Sequence, residues 1–280
     1  MTIRIVTDST CDLPDSVISR YKIPVLPLYL NFGHESYLDG VELSRQDFYR
    51  KLVKSEAVVS TAAPAPDMFR RAYEKLAAEG ATQVLSIHVS GSLSGILGVA
   101  KLAAQETTAV PVHVFDSRQL SLGTGFLVEA AAKSASEGRS LEKILAELAE
   151  QISRTHVFAA LDTLEFLRRS GRMHGLVAGL GSVLQIKPIL RMYDGNAISE
   201  RVRTRGKAID RLVGILKELA PLERAAIVHA NAVERAQALQ EQTKHLLPVG
   251  EIPLVDITPV IGAHVGPGAV GFACVRTRNA

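Results

Sequence analysis

Apolar runs rich in β-branched residues alternate with amphipathic stretches through the first half of the chain. IRIVTD precedes a helical pattern after Pro14, PVLPLYL reads as extended, one helix is capped near Ser44, and another follows Pro66. VLSIHV and VHVF each lead into a helix, the second from about Gln119, and a further helix starts at Ser140. Strands alternating with helices in this way predict a parallel sheet with helices on its faces. Ser44 and Asp47 have the spacing of a capping box, with Asp in place of Glu.

From Thr155 the pattern changes. HVFAAL and KPILRMY read as strands on either side of a helical LEFLRRSGR and the apolar stretch 175–186, which a core helix or the wall of a ligand site explains equally well. Asp194-Gly195-Asn196 between extended runs predicts a hairpin turn. A helix from Thr204, the strand AAIVHA, a helix from about Val233 and extended segments to the C-terminus complete a second α/β unit. The 280 residues suffice for two cores, since domains run to roughly 100–200 residues. The expected fold class is therefore α/β in two domains, 1–155 and 156–280, with a ligand cleft between them.

Composition narrows the function classes. Hydrophobic residues make up 47% and charged residues 22%, as in a folded globular protein. The net charge is +3 with no long basic block, so charge does not point to nucleic acid. Cys11 and Cys274 are far apart and MTIRIVTDST holds no apolar signal core, which predicts a cytoplasmic protein. The longest uncharged stretch, Ile257–Val275, is interrupted by Pro259, Pro267 and several glycines and cannot form one spanning helix.

Candidate chemistry gathers in hydroxyl-bearing turns: Thr7 to Thr10 after IRIV, Ser60 and Thr61 before the Pro66 helix, and Ser90, Ser92 and Ser94 in VSGSLSG. In a parallel sheet these fall on one edge, where free N–H groups at helix starts favour an anion. Each is also a good helix cap, and capping alone explains any one of them. Gly266, Gly268 and Gly271 match GxGxxG formally, but an extended run follows instead of a helix, so the stretch reads as a Gly/Pro turn. His264 sits just before that turn. Arg168, Arg169 and Arg172 end a helix with Gly171 available as its cap, and an arginine there suits the countercharge of an anion. GSLSG carries Leu93 where a hydrolase elbow needs its serine, and HExxH, paired CxxC and the P-loop are missing. No metal, cofactor or catalytic residue is expected.

TDSTCDL, Thr61 followed by Pro64, VSGSLSG, LEFLRRSGR, KPIL and IGAHVGPGAVG occur in the order seen in DegV-family proteins, and over nearly its whole length the chain resembles the FakB group of bacterial fatty-acid-binding proteins. The resemblance implies an N-terminal parallel-sheet domain and a C-terminal mixed-sheet domain. A long-chain fatty acid such as palmitate or oleate would lie in a buried tunnel between them. It implies a carrier in fatty acid metabolism that presents its lipid to a FakA-like fatty acid kinase, with at most transient membrane contact. Carried over by motif, Thr61 and Ser94 hold the carboxylate and Arg172 and His264 lie nearby, while Ser92 and Ser9 of the hydroxyl-bearing turns are the candidates for secondary contacts. The chain departs from the family pattern at Ala63, where Gln is common, and at Ile96, where Thr is common. Those departures bear on secondary polar contacts and leave Thr61 and Ser94 in place. The competing readings are a phosphotransferase or hydrolase acting on a small anion through Asp8, and a regulatory binder of a small anion or nucleotide.

Overall fold

The computed structural model describes residues 2–55, 57–173 and 186–278. In the first half, β1 Ile3–Asp8, α1 Asp15–Tyr21, β2 Val25–Leu26, β3 Tyr29–Phe32, β4 Glu35–Leu38, α2 Arg45–Lys54 and β5 Val59–Ala62 come first. They are followed by α3 Pro66–Ala78, β6 Gln83–His88, α4 Ile96–Glu106, β7 Val112–Asp116, α5 Leu122–Ser136 and α6 Leu141–Ile152. The second half runs β8 Thr155–Ala160, α7 Glu165–Arg169, β9 Lys187–Tyr193, β10 Asn196–Val202, α8 Arg205–Leu219 and β11 Leu222–His229. It ends with α9 Val233–Thr243, β12 Leu254–Asp256, α10 Pro259–Val265 and β13 Val270–Arg276.

A four-stranded parallel sheet, β2-β1-β6-β7, takes its strands from the first half. A six-stranded mixed sheet, β10-β9-β8-β13-β11-β12, takes its strands from Thr155 onward, with β11 and β12 parallel and the other pairs antiparallel. The α/β class with a parallel and a mixed sheet is thus present.

The alternation along β13 shows how the second sheet is packed. Val270, Phe272 and Cys274 join Leu212, Leu216 and Leu239 of α8 and α9, while Ala273 and Val275 face the core on the other side. Successive side chains point to opposite faces of a strand, so a strand covered on both faces is apolar throughout.

Three expectations need correction. PVLPLYL is not one strand: Pro27 interrupts it, β2 stays in the parallel sheet, and β3 joins a separate three-stranded antiparallel sheet, β4-β3-β5. Proline has no N–H for a ladder, which makes it a natural point for a strand to leave a sheet. For the same reason Ser60 and Thr61 do not share the parallel sheet's edge, because they lie on β5 and Thr61 is paired with Leu30. The tail is not purely extended either, since Pro259–Val265 forms α10.

Local capping follows the sequence closely. Thr204 accepts from the Lys207 N–H at the start of α8, Ser140 accepts from the Lys143 N–H at the start of α6, and the Asp194-Gly195 turn joins β9 to β10 with both residues at positive φ. Ser44 accepts from the Asp47 N–H at 3.2 Å and donates to its carboxylate at 2.6 Å. Ser44→Ala is therefore expected to lower stability by about 1 kcal/mol, measured by denaturant unfolding, and an unchanged midpoint would contradict the cap. Among the described residues no helix is long and apolar enough to cross a membrane.

Candidate functional site

The serine turn is held at the end of β6 by its own backbone. Ser90 donates its N–H to the Gln119 carbonyl at 2.8 Å and accepts from the Ser94 N–H at 3.2 Å, which sets Ser94 one residue before Gly95, the cap of α4. The Ser94 hydroxyl accepts weakly from the Ile96 N–H at 3.3 Å, and its own proton has no acceptor among the described residues.

The helix α10 begins at Thr258-Pro259. Proline suits a first helical position, because the N–H it lacks would have had no partner there. Thr258 gives its N–H to Asp12 at 2.7 Å and its hydroxyl to Asp39, so buried carboxylates of the first half anchor a helix of the second. Gly266, at φ +74, ends the helix after His264.

These elements meet around a cavity of about 160 Å³. Its walls are largely apolar, with Val157, Leu161, Leu190, Met192, Val228 and Ile261 among them. Thr61, Ser94, Arg172 and His264 all line it. Most of the remaining polar lining is already engaged. Thr10 donates its hydroxyl to Asp8 at 2.5 Å, Ser121 donates to Asp12 at 2.6 Å, Arg191 bonds Glu200, and His229 accepts from the Ala232 N–H through Nδ1.

The Thr61 hydroxyl lies 3.0 Å from His264 Nε2. Burial, aided by the positive charge of Arg172, pushes the His264 imidazole down to about 4, so the ring is neutral at physiological pH. A neutral imidazole and a hydroxyl carry two donor protons between them, and their mutual bond consumes one. If Thr61 donates to Nε2, the Nδ1 proton is free. If Nε2 donates, the Thr61 proton is free. Nδ1 has no partner among the described residues. Arg172 bonds the Ser170 carbonyl at 3.1 Å and pairs with no carboxylate among the described residues. The wall thus offers spare donors and a positive charge, which is the chemistry that receives an anionic oxygen.

Ser92 and Ser9 do not line the cavity. Ser92 donates to the Gly195 carbonyl at 2.9 Å, tying the serine turn to the β9–β10 hairpin, and Ser9 accepts from the Leu28 N–H at 3.3 Å. The apolar stretch considered as a wall lies, apart from Ile186, outside the described residues. Gly266 and Gly268 form a turn at φ +74 and +88 that leads into β13, so the formal dinucleotide fingerprint has no helix behind it.

Asp8, the residue on which a hydrolytic reading rests, is fully buried and absent from the cavity wall. Its carboxylate accepts from Thr10, from the Val89 N–H at 3.2 Å and from His88 Nδ1 at 2.9 Å. Burial acts to raise its pKa, but the bonds from His88 and Thr10 prevail and hold it below the usual carboxylate range. His88 Nε2 in turn lies 2.7 Å from Ser86, whose hydroxyl lies 2.9 Å from that of Tyr73. The order Ser-His-Asp resembles a catalytic triad. All three side chains are sealed in the core, so the chain of bonds has no access to substrate and serves to pin β1 to β6.

The family model described as "Uncharacterised protein, DegV family" matches residues 2–277. A DegV domain-containing protein of Listeria innocua is 36% identical over 274 residues, covering 96% of this chain and 97% of that one. Protein DegV of Bacillus subtilis is 34% identical over 279 residues, covering 97% and 98% respectively. Two solved structures superpose with TM-scores of 0.90, each covering 99% of this chain and 100% of the other. One is a fatty-acid-binding DegV family protein of Thermus thermophilus at 35% identity, and the other is DegV of Bacillus subtilis, a fatty acid binding protein, at 34%.

Proposed function

Because the chain belongs to the DegV family, we propose that it binds a long-chain fatty acid such as palmitate or oleate, its carboxylate received by Thr61, Ser94, Arg172 and His264 and its tail by the apolar cavity. The observation that carries this reading is the convergence of those side chains, with spare donors and a cation that pairs with no carboxylate among the described residues, on one largely apolar space. Burying an acyl tail is worth ~0.8 kcal/mol per CH₂, so sixteen carbons gain on the order of 10 kcal/mol before losses. A carboxylate taken from water costs several kcal/mol unless it is hydrogen-bonded, and the cluster offsets that cost.

In this reading the ligand lies between a domain of residues 1–155 and one of 156–280, and the protein is a carrier without catalytic residues of its own. It acts in the cytoplasm, where its two buried free thiols, Cys11 and Cys274, would stay reduced. A separate kinase of the FakA type would transfer a phosphoryl group to the presented carboxylate, and membrane contact would be transient.

Mass spectrometry of what the denatured protein releases, after purification from a bacterial host without added lipid, tests the reading. Near-stoichiometric long-chain fatty acid is expected. Its absence, together with failure to take up added palmitate or oleate, would overturn the proposal.

A further inference from the structure

A second cavity, of about 200 Å³, opens on the other side of the six-stranded sheet, between α8 and α9. Leu161 and Val270 contribute to the walls of both cavities, so only the layer of β8 and β13 separates them. The floor is apolar, with Ile209 of α8, Leu239 of α9 and Val270 of β13. The rim is ionic, with Lys187, Arg205 and Arg235 around a single carboxylate, Asp162.

Asp162 organises these cations without neutralising them. Arg205 Nη2 reaches both its oxygens at 3.0 and 3.1 Å, Arg235 reaches Oδ2 with both Nη atoms at 3.0 Å, and Lys187 Nζ bonds its backbone carbonyl at 2.8 Å. Arg235 also bonds the Gly268 carbonyl at 2.5 Å, so it and Asp162 have a structural task in fixing the turn before β13. Arg205 is not needed for that task. Its side chain is 57% exposed, and its remaining N–H groups have no partner among the described residues. Three cations against one carboxylate leave a surplus of two positive charges above an apolar floor.

We propose that this cavity binds a soluble phosphate monoester carrying a short apolar group, the phosphate on Arg205 and Lys187 and the apolar group against Ile209, Leu239 and Val270. A phosphate monoester bears about −1.5 to −2 charges at pH 7 and matches the surplus better than a carboxylate does. The planar fork of Arg205 can present two parallel N–H groups to phosphate oxygens.

Calorimetric titration with n-octyl phosphate, on the full chain saturated with palmitate, tests the proposal, and a chain that takes up no palmitate is titrated as purified. One equivalent is expected to bind, about tenfold or more weaker to Arg205→Ala, with the charge-assisted bonds gone, and equally well to Arg172→Ala, whose lesion lies at the first cavity. Inorganic phosphate should bind at least about tenfold more weakly than octyl phosphate, lacking the apolar contact. Thermal unfolding of the variants, expected to match that of the parent protein, is the control that Arg205→Ala is folded. Absence of saturable binding, sensitivity to Arg172→Ala instead of Arg205→Ala, or equal affinity for inorganic phosphate would each overturn the assignment. Arg205-dependent sedimentation with phosphatidic acid vesicles, without binding of octyl phosphate, would overturn the soluble source.

Discussion

Replacing Thr61 and Ser94 together by alanine is expected to weaken fatty acid binding by roughly 10²- to 10⁴-fold while leaving the protein folded. A hydrogen bond to a charged group is worth about 1.5–3 kcal/mol, and each 1.4 kcal/mol is about tenfold in affinity, so each hydroxyl accounts for about 10- to 100-fold. The tail contacts remain, so binding is weakened and not abolished. Thr61 should cost more than Ser94. Its loss removes a donor and also strips His264 Nε2 of its 3.0 Å partner, whereas Ser94 has only a weak 3.3 Å bond to the Ile96 N–H. The effects of Thr61→Ala and His264→Ala should for that reason fall short of additivity, as expected for residues in contact. The fold is spared because the pairing of β5 with β3 is made by the backbone and the serine turn is held by the Ser90 N–H and carbonyl. Displacement of a fluorescent fatty acid, with thermal unfolding as the control for folding, reads the result. Unchanged lipid affinity in the double variant would remove Thr61 and Ser94 from the site.

What was legible in the sequence were the elements whose signals are local. An apolar run, a capping Ser or Thr and an Asp-Gly turn are each decided within a few residues, and β6, α8 and the β9–β10 hairpin follow from them. Two features escaped for physical reasons. The helix α10 is short and apolar nearly throughout, being buried from Pro259 to Ala263, so no polar face marks a helical period. Its only signals are Thr258-Pro259 at the start and Gly266 at the end. The three-stranded sheet is built from strands of four residues, too short to show alternation, and Pro27 was the sign that the chain changes sheets. The site was legible as residue types and not as an arrangement. Thr61 and His264 are 203 positions apart, and their contact depends on how α10 packs over β5. The motif resemblance named both, but no spacing within the chain specifies that one donor remains free between them.

The anchoring of α10 leads to the second large effect, a contribution of Asp12 to stability that is lost with rising pH and that Asp12→Asn should remove. Asp12 is fully buried, accepting from the Thr258 N–H and the Ser121 hydroxyl. Burial raises its pKa to about 7, against the opposing pull of Arg45 and these bonds. Asp39, which takes the Thr258 hydroxyl, is also raised by burial, so two carboxylates flank one threonine. A carboxylate whose folded pKa lies above its unfolded value binds more protons in the folded state, so its contribution to stability is complete below the unfolded value. That contribution is lost as pH rises to the folded value. For Asp12 the window runs from the ordinary 3.8 to about 7, and at 1.36 kcal/mol per unit the loss is about 4 kcal/mol. Asparagine keeps an oxygen for the Thr258 N–H and, through its amide, can donate to the Ser121 oxygen, yet has no charge to gain. The stability of Asp12→Asn relative to the wild type should therefore rise by about 4 kcal/mol between pH 3.5 and pH 8, measured by denaturant unfolding across that range. Asp8 works in the opposite direction, its lowered pKa favouring the folded state at higher pH, but it is common to both proteins and cancels in the difference. A difference that stays constant with pH would mean that Asp12 is already ionised in the folded protein, and that Arg45 outweighs its burial.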